Sequence, residues 1–112
     1  MKVSEQVHGN VTILCPHGPL VGEELQDFRR AVETASASQA RRVILDMADV
    51  PYLDSGGIEY LLETCNLGVS SFRRPKLAAL SETCLEVLEL TDVLPRLEVY
   101  DTVENALRSC QR

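Results

Sequence analysis

Asp54-Ser55-Gly56-Gly57 places a carboxylate, a hydroxyl and two positions without side chains in one tetrad. Ile58, Leu61, Leu62, Cys65 and Val69 follow at helical spacing, so the tetrad reads as the start of a helix. Asp54 falls where an N-cap is wanted, and Ser55 falls in the first turn. Free backbone N–H groups and the positive end of the helix dipole converge there. A phosphate on Ser55 is therefore locally well placed, and Gly56 and Gly57 leave room for a partner to approach the hydroxyl. An Asp/Ser helix cap with glycines in a tight strand-to-helix turn accounts for the same residues, and spacing alone favours it.

Other chemistries find less support. Ser55 as a nucleophile needs a base, and the only histidines are His8 and His17, near the N-terminus. The G-x-S-x-G elbow is absent, so no catalytic residue is expected. Cys15-Pro16-His17 holds ligand types for half a metal site, but no second pair stands at ligand spacing. A core cysteine and a loop histidine are expected there, with no metal. Cys15, Cys65, Cys84 and Cys110 lie far apart without a C-x-x-C pair, and read as free buried thiols of a reducing compartment. No Walker-type loop with Lys follows Gly56-Gly57, so no nucleotide cofactor is expected.

The elements that must position the tetrad are legible around it. Val3 to Val7 and Val11 to Cys15 read as two short strands flanking Gly9-Asn10. Pro16-His17-Gly18-Pro19 is expected to end the second strand, since prolines cannot donate to a ladder. Val21, Leu25, Phe28, Val32 and Ala35 form one helical stripe, fraying toward Ala40. Val43-Ile44-Leu45 is an unalternating apolar run, the mark of a strand covered on both faces. After the tetrad's helix, closed by Gly68 and Ser70-Ser71, Lys76 to Leu80 reads as a strand. Ser81 is an N-cap for a third helix carrying Leu85 and Leu88, broken by Thr91-Asp92 and Pro95. Leu97 to Tyr100 is a last strand, and Asp101 with Glu104 resembles a capping box before Val103, Ala106, Leu107 and Cys110. The order is β-β-α-β-α-β-α-β-α. It predicts an α/β fold: a mostly parallel sheet of about five strands, an N-terminal hairpin, about four helices and right-handed crossovers.

With 112 residues, one domain over 1–112 is expected. Apolar residues make up 45% and charged ones 25%, too apolar for a disordered chain. A net charge of −6 argues against direct binding of nucleic acid or of anionic lipid. No run approaches the roughly 18 apolar residues of a membrane span, and the start turns polar at Lys2 without an apolar h-region. The expected location is the cytoplasm.

Val43-Ile44-Leu45-Asp46, Val50-Pro51-Tyr52-Leu53 and Asp54-Ser55-Gly56-Gly57-Ile58 together resemble the signature of STAS domains, the family of anti-sigma factor antagonists. Gly18-Pro19-Leu20 resembles the family's Gly-x-Leu before its first helix. Leu88 to Pro95 resembles its Leu-x-x-Leu-x-Gly-Leu stretch, without the glycine, and Asp101 to Leu107 its closing segment. The resemblance covers nearly the whole chain. It implies a STAS fold and a non-enzymatic, phosphorylation-controlled binding module in a partner-switching pathway. Unphosphorylated, such a module binds an anti-sigma factor that is itself a serine kinase of the histidine-kinase-like ATPase type. Phosphorylation of the serine after the aspartate, here Ser55, releases it. Many members carry a second Ser or Thr where this chain has Gly56, which leaves Ser55 as the one hydroxyl of the turn. Parallel sheets bind partners at the carboxyl edge of their strands. The expected docking patch is therefore Asp54, Ser55, Gly56 and Gly57, with Gly18 and Leu20 beside it. The same surface fits a STAS subunit of another assembly, such as the cytosolic component of a lipid ABC transporter or a stress-signalling scaffold. Asp-Ser before a helix in an acidic chain also fits a small acyl or phosphoryl carrier.

Overall fold

A computed structural model describes residues 1–37, 42–64 and 74–111. Five strands pair in the order β1-β2-β3-β4-β5: β1 (Lys2–His8), β2 (Val11–His17), β3 (Arg42–Asp46), β4 (Lys76–Ala78) and β5 (Val99–Tyr100). β1 is antiparallel to β2 across the Gly9-Asn10 turn, and every later pairing is parallel. The helices are α1 (Glu24–Ser36), α2 (Ser55–Thr64), α3 (Glu82–Leu90) and α4 (Val103–Cys110), and a short 3-10 turn spans Leu94–Arg96. This is the predicted α/β order, with a parallel sheet behind an N-terminal hairpin. It excludes an acyl carrier, which is a helical bundle. The expected fraying of α1 toward Ala40, and the Cys65, Gly68, Val69 and Ser70-Ser71 end of α2, lie outside the described residues.

Strand alternation divides the apolar residues between two cores. Leu14, Val43, Leu45 and Leu77 face one way and meet Leu25, Phe28 and Val32 of α1, Tyr60 and Leu61 of α2, and Cys84 and Leu88 of α3. Val11, Ile13, Ile44 and Ala78 face the other way and meet Ala106 and Cys110 of α4, with Val103, Leu107 and Tyr100 packed around them. The run Val43-Ile44-Leu45 is unalternating because helices cover both faces of β3. Phe28 and Tyr60 meet edge to face at 5.9 Å between ring centroids, which locks α1 against α2.

Three local expectations are corrected. β2 does not stop before Pro16: it pairs with β1 out to Lys2↔His17. Its pairing with β3 ends at Leu14↔Leu45, so beyond Leu14 the strand has a partner on one side only, where a proline is tolerated. β4 ends at Ala78, because Ala79 turns to φ +59°. α4 is capped not by Asp101 but by Thr102, whose hydroxyl accepts the Asn105 N–H at 3.1 Å. The Ser81 cap of α3 is as expected, with its hydroxyl accepting the Cys84 N–H at 3.2 Å.

Candidate functional site

The chain that enters α2 is laced to the chain that enters α1. β2 and β3 cease to pair as strands at Leu14↔Leu45, but their continuations stay together. The Gly18 N–H donates to the Asp49 carbonyl at 3.0 Å, and the Leu20 N–H to the Tyr52 carbonyl at 3.2 Å. Leu20 and Leu53 form an isolated parallel bridge, and the Asp54 N–H donates back to the Leu20 carbonyl at 3.3 Å. Leu20, Val50 and Leu53 are buried beneath these bonds, so apolar burial and backbone pairing hold the two loops together.

Asp54 closes the arrangement. Its Oδ1 accepts the Gly57 N–H at 2.9 Å, the N-cap bond of α2. Its Oδ2 accepts the Gly22 N–H at 3.0 Å and so ties the start of α2 to the start of α1. The Gly57 N–H first and the Gly22 N–H second hold the Asp54 carboxyl below the usual carboxylate range. Gly22 presents its N–H from φ +50°, a conformation that side-chain-bearing residues rarely adopt. Gly57 is required for a different reason: a Cβ there would lie 2.6 Å from the Leu20 carbonyl oxygen. Gly56 is less constrained, its nearest neighbour to a Cβ being Asp54 Oδ1 at 3.3 Å.

Ser55 is the first residue of α2 and is exposed. Among the described residues none hydrogen-bonds its hydroxyl, because Asp54 has taken the capping role. Asp54, Ser55 and Gly56 thus reach the surface together, with Gly18 half-buried on the neighbouring loop. Two members of the expected docking patch do not offer side-chain contact. Leu20 is 0% exposed, and Gly57 is buried against it. Both support the turn from beneath. One surface residue escaped the sequence reading: Tyr52 is 50% exposed between buried Val50 and Leu53. Strand alternation gives no signal for it, since Tyr52 shares the parity of buried Val50.

A second cluster joins residues that the sequence kept apart. His17 Nδ1 lies 2.7 Å from Asp49 Oδ2, and its Nε2 lies 2.7 Å from Ser4 Oγ. His8 bonds Gln6 at 3.3 Å, so the hydrogen bonds of both histidines go elsewhere than Ser55. Cys15 Sγ joins His17 and Asp49 within 4.8 Å. Cys15 is half-buried rather than core, and His17 is the last residue of β2 rather than a loop residue. Burial first, then the Asp46 and Asp49 carboxylates, push the Cys15 thiol up to about 11. Cys84 is buried with Sγ 3.4 Å from the Val50 carbonyl, and Cys110 is buried under α4. Cys65 lies outside the described residues.

The family model of the STAS domain matches residues 2–106. An anti-sigma factor antagonist from Mycobacterium paratuberculosis superimposes with a TM-score of 0.83 at 16% identity, over 99% of this chain and 94% of that one. The unphosphorylated form of the anti-sigma factor antagonist SpoIIAA gives 0.77 at 18% identity, over 98% and 96% of the two chains. The phosphorylated form of the Bacillus cell fate determinant SpoIIAA gives 0.63 at 19% identity, over 96% and 98%. No curated protein sequence matches significantly. The five-stranded sheet with its antiparallel first strand and four helices is the STAS fold, and the chain belongs to the STAS domain family. Among the described residues, no helix is long and apolar enough to cross a membrane.

Proposed function

We propose that this chain is an anti-sigma factor antagonist that acts in the cytoplasm as a binding module, switched by phosphorylation of Ser55. The unphosphorylated form binds an anti-sigma factor that is also a serine kinase of the histidine-kinase-like ATPase type. The phosphorylated form lets go, and no chemistry of the chain's own is required. The observation that carries this reading is the exposed Ser55 hydroxyl, one residue after a cap that leaves it unengaged. Exposed Tyr52 stands on the same loop and supplies apolar surface for the partner. Two of the related structures are of one antagonist in its unphosphorylated and phosphorylated forms, which supports a two-state role for this fold.

The physics of the switch is local. A phosphate on Ser55 adds about −1.5 to −2 charges at pH 7. It sits at a helix N-terminus, where an anion is tolerated, so the domain stays folded. In an interface the same group must lose water beside the Asp54 carboxylate and any acidic groups of the partner. A loss of about 2.8 kcal/mol weakens binding about a hundredfold. Calorimetry against the kinase co-purified from native cells tests this with wild type, Ser55→Ala and enzymatically phosphorylated protein. Ser55→Ala binds like wild type and takes up no phosphate. The phosphoprotein binds about a hundredfold more weakly and melts at nearly the same temperature. Equal affinities for all three remove the switch, and co-purification of an ABC-transporter ATPase instead moves the chain to a transporter assembly.

A further inference from the structure

Cys15 and His17 stand two residues apart on β2, so their side chains leave the same face of the strand. That is the face which, among the described residues, α4 alone of the helices covers, and a cavity of about 270 Å³ opens there beside Ser4, Cys15, His17, Asp46 and Val103. A third group arrives from the turn after β3, and backbone bonds fix where it arrives. Asp46 Oδ1 accepts the Ala48 N–H at 3.1 Å, and the Val50 N–H donates to the Met47 carbonyl at 3.1 Å. The Gly18 N–H then holds the Asp49 carbonyl at 3.0 Å, which sets the Asp49 carboxylate against the His17 ring. Cys15 Sγ, a His17 ring nitrogen and an Asp49 carboxylate oxygen all lie within 4.8 Å of one another.

We propose that Cys15 Sγ, His17 Nδ1 and the Asp49 carboxylate form a binding site for a thiophilic divalent cation, Zn²⁺. A thiolate, an imidazole and a carboxylate are the ligand types zinc takes, at about 2.0–2.3 Å each. Tetrahedral bonds of that length set ligand atoms about 3–4 Å apart, so small side-chain rotations convert the observed cluster into a bound one. The ion takes the place of the proton between His17 Nδ1 and Asp49 Oδ2, and by exchange with solvent that ring proton moves to Nε2, so that His17 binds as the neutral Nε2–H tautomer. The Cys15 thiol proton leaves to solvent as the Zn–S bond forms, and thiolate plus carboxylate balance the 2+ charge.

Ser4 acts through His17 and is a positioning residue. Metal-binding histidines donate their other ring N–H to an oxygen acceptor, which fixes tautomer and orientation. Ser4 Oγ, 2.7 Å from Nε2 on the residue paired with Cys15, is such an acceptor. Ser4, His17 and Asp49 also match the order of a hydrolytic relay. But Ser4 lies inside a paired strand, not on the strand-to-helix turn that exposes a nucleophile beside N–H donors.

The test is titration of the reduced full chain, first with Co²⁺ and then with Zn²⁺ in competition with a chelating dye. Wild type binds one equivalent, develops thiolate-to-cobalt charge-transfer absorption and gains melting temperature with Zn²⁺. Cys15→Ser loses the absorption, and His17→Gln and Asp49→Asn each weaken Zn²⁺ binding at least tenfold. Ser4→Ala weakens it about tenfold but keeps the absorption, and Ser4→Thr restores the affinity. Circular dichroism in chelator shows whether each variant is folded. No charge-transfer band in wild type overturns the proposal. So does a band lost in Cys65→Ser but kept in Cys15→Ser, or Zn²⁺ affinity unchanged in folded His17→Gln and Asp49→Asn.

Discussion

Two helices start at the carboxyl edge of the same sheet with a serine at the join, and the two serines are used oppositely. At the start of α3, Ser81 is itself the cap, its hydroxyl occupied by the Cys84 N–H at 3.2 Å. At the start of α2, Asp54 caps by bonding the Gly57 N–H at 2.9 Å, and Ser55 is pushed one residue into the helix. A cap side chain must turn back along its own helix to reach the third N–H. The next residue has no such duty, and its hydroxyl stays available. Moving the capping role from serine to the aspartate before it therefore leaves an exposed hydroxyl that the helix start does not use. The aspartate carries a second duty at α2 that Ser81 lacks at α3, because its other oxygen reaches Gly22 on a different loop.

Breaking the α2 start where it is most tightly built has the largest effect. Gly57→Val sets a branched side chain on a Cβ position 2.6 Å from the Leu20 carbonyl oxygen, and backbone cannot yield there cheaply. Overpacking of this kind costs about 1–3 kcal/mol, read as a lower denaturant midpoint in urea unfolding. A bulky residue at Gly57 is therefore a poor probe of docking, since lost stability and lost binding arrive together. Gly56→Ala is the sharper one: its Cβ meets Asp54 Oδ1 at 3.3 Å, and alanine favours a helix. Gly56→Ala unfolds within about 0.5 kcal/mol of wild type. Equal midpoints for Gly57→Val and wild type contradict the close approach of the two loops.

The reach of the sequence divides along the same line. Short-range features were legible: the stripe Leu25, Phe28, Val32, the doubly covered run Val43-Ile44-Leu45, the Ser81 cap and the Asp54-Ser55 helix start. Each is decided by residues within a few positions of one another. Features made by chain segments far apart in sequence were not legible. Leu20 looked like loop surface, yet it is fully buried because Leu53 comes to lie beside it. His17 meets Asp49 across 32 positions only because the β2 and β3 continuations stay paired past the sheet. The α4 cap is the short-range exception: Thr102 rather than its neighbour Asp101 takes it, a choice between adjacent capping residues that composition does not make.

Removing the charge that joins the two loops comes next in size. Asp54→Ala leaves the Gly57 and Gly22 N–H groups without their acceptor, whereas Ser81→Ala orphans one. Asp54→Ala therefore lowers the melting temperature more than Ser81→Ala, whose loss is about 1 kcal/mol. The pH dependence separates the two sites. The Asp54 pKa is lowered by folding, so its stabilisation is complete above the unfolded value of about 3.9 and is lost as pH falls through the lower folded value. The gap between wild type and Asp54→Ala is then level near neutrality and narrows below about pH 4. The gap between wild type and Ser81→Ala has no such edge, because a hydroxyl does not titrate there. Thermal melts of the three proteins from pH 7 downward read both curves, and a gap for Asp54→Ala that widens on acidification reverses the sign.

Ser55→Ala has the smallest effect on the fold. Its hydroxyl is exposed, and among the described residues it holds none of the turn's hydrogen bonds. Removing it leaves the Asp54 bonds to Gly57 and Gly22 in place and deletes little buried surface. Alanine also has the better helix propensity, which offsets any small loss. The unfolding free energy should move by less than about 0.5 kcal/mol, against about 1 kcal/mol for Ser81→Ala. Urea unfolding of the two single variants and of the double variant measures this directly. The two helix starts share no capping bond, so the double variant should equal the sum of the singles. A loss for Ser55→Ala as large as that for Ser81→Ala means that Ser55 is a second cap. The division between a capping aspartate and a free serine hydroxyl at α2 then fails.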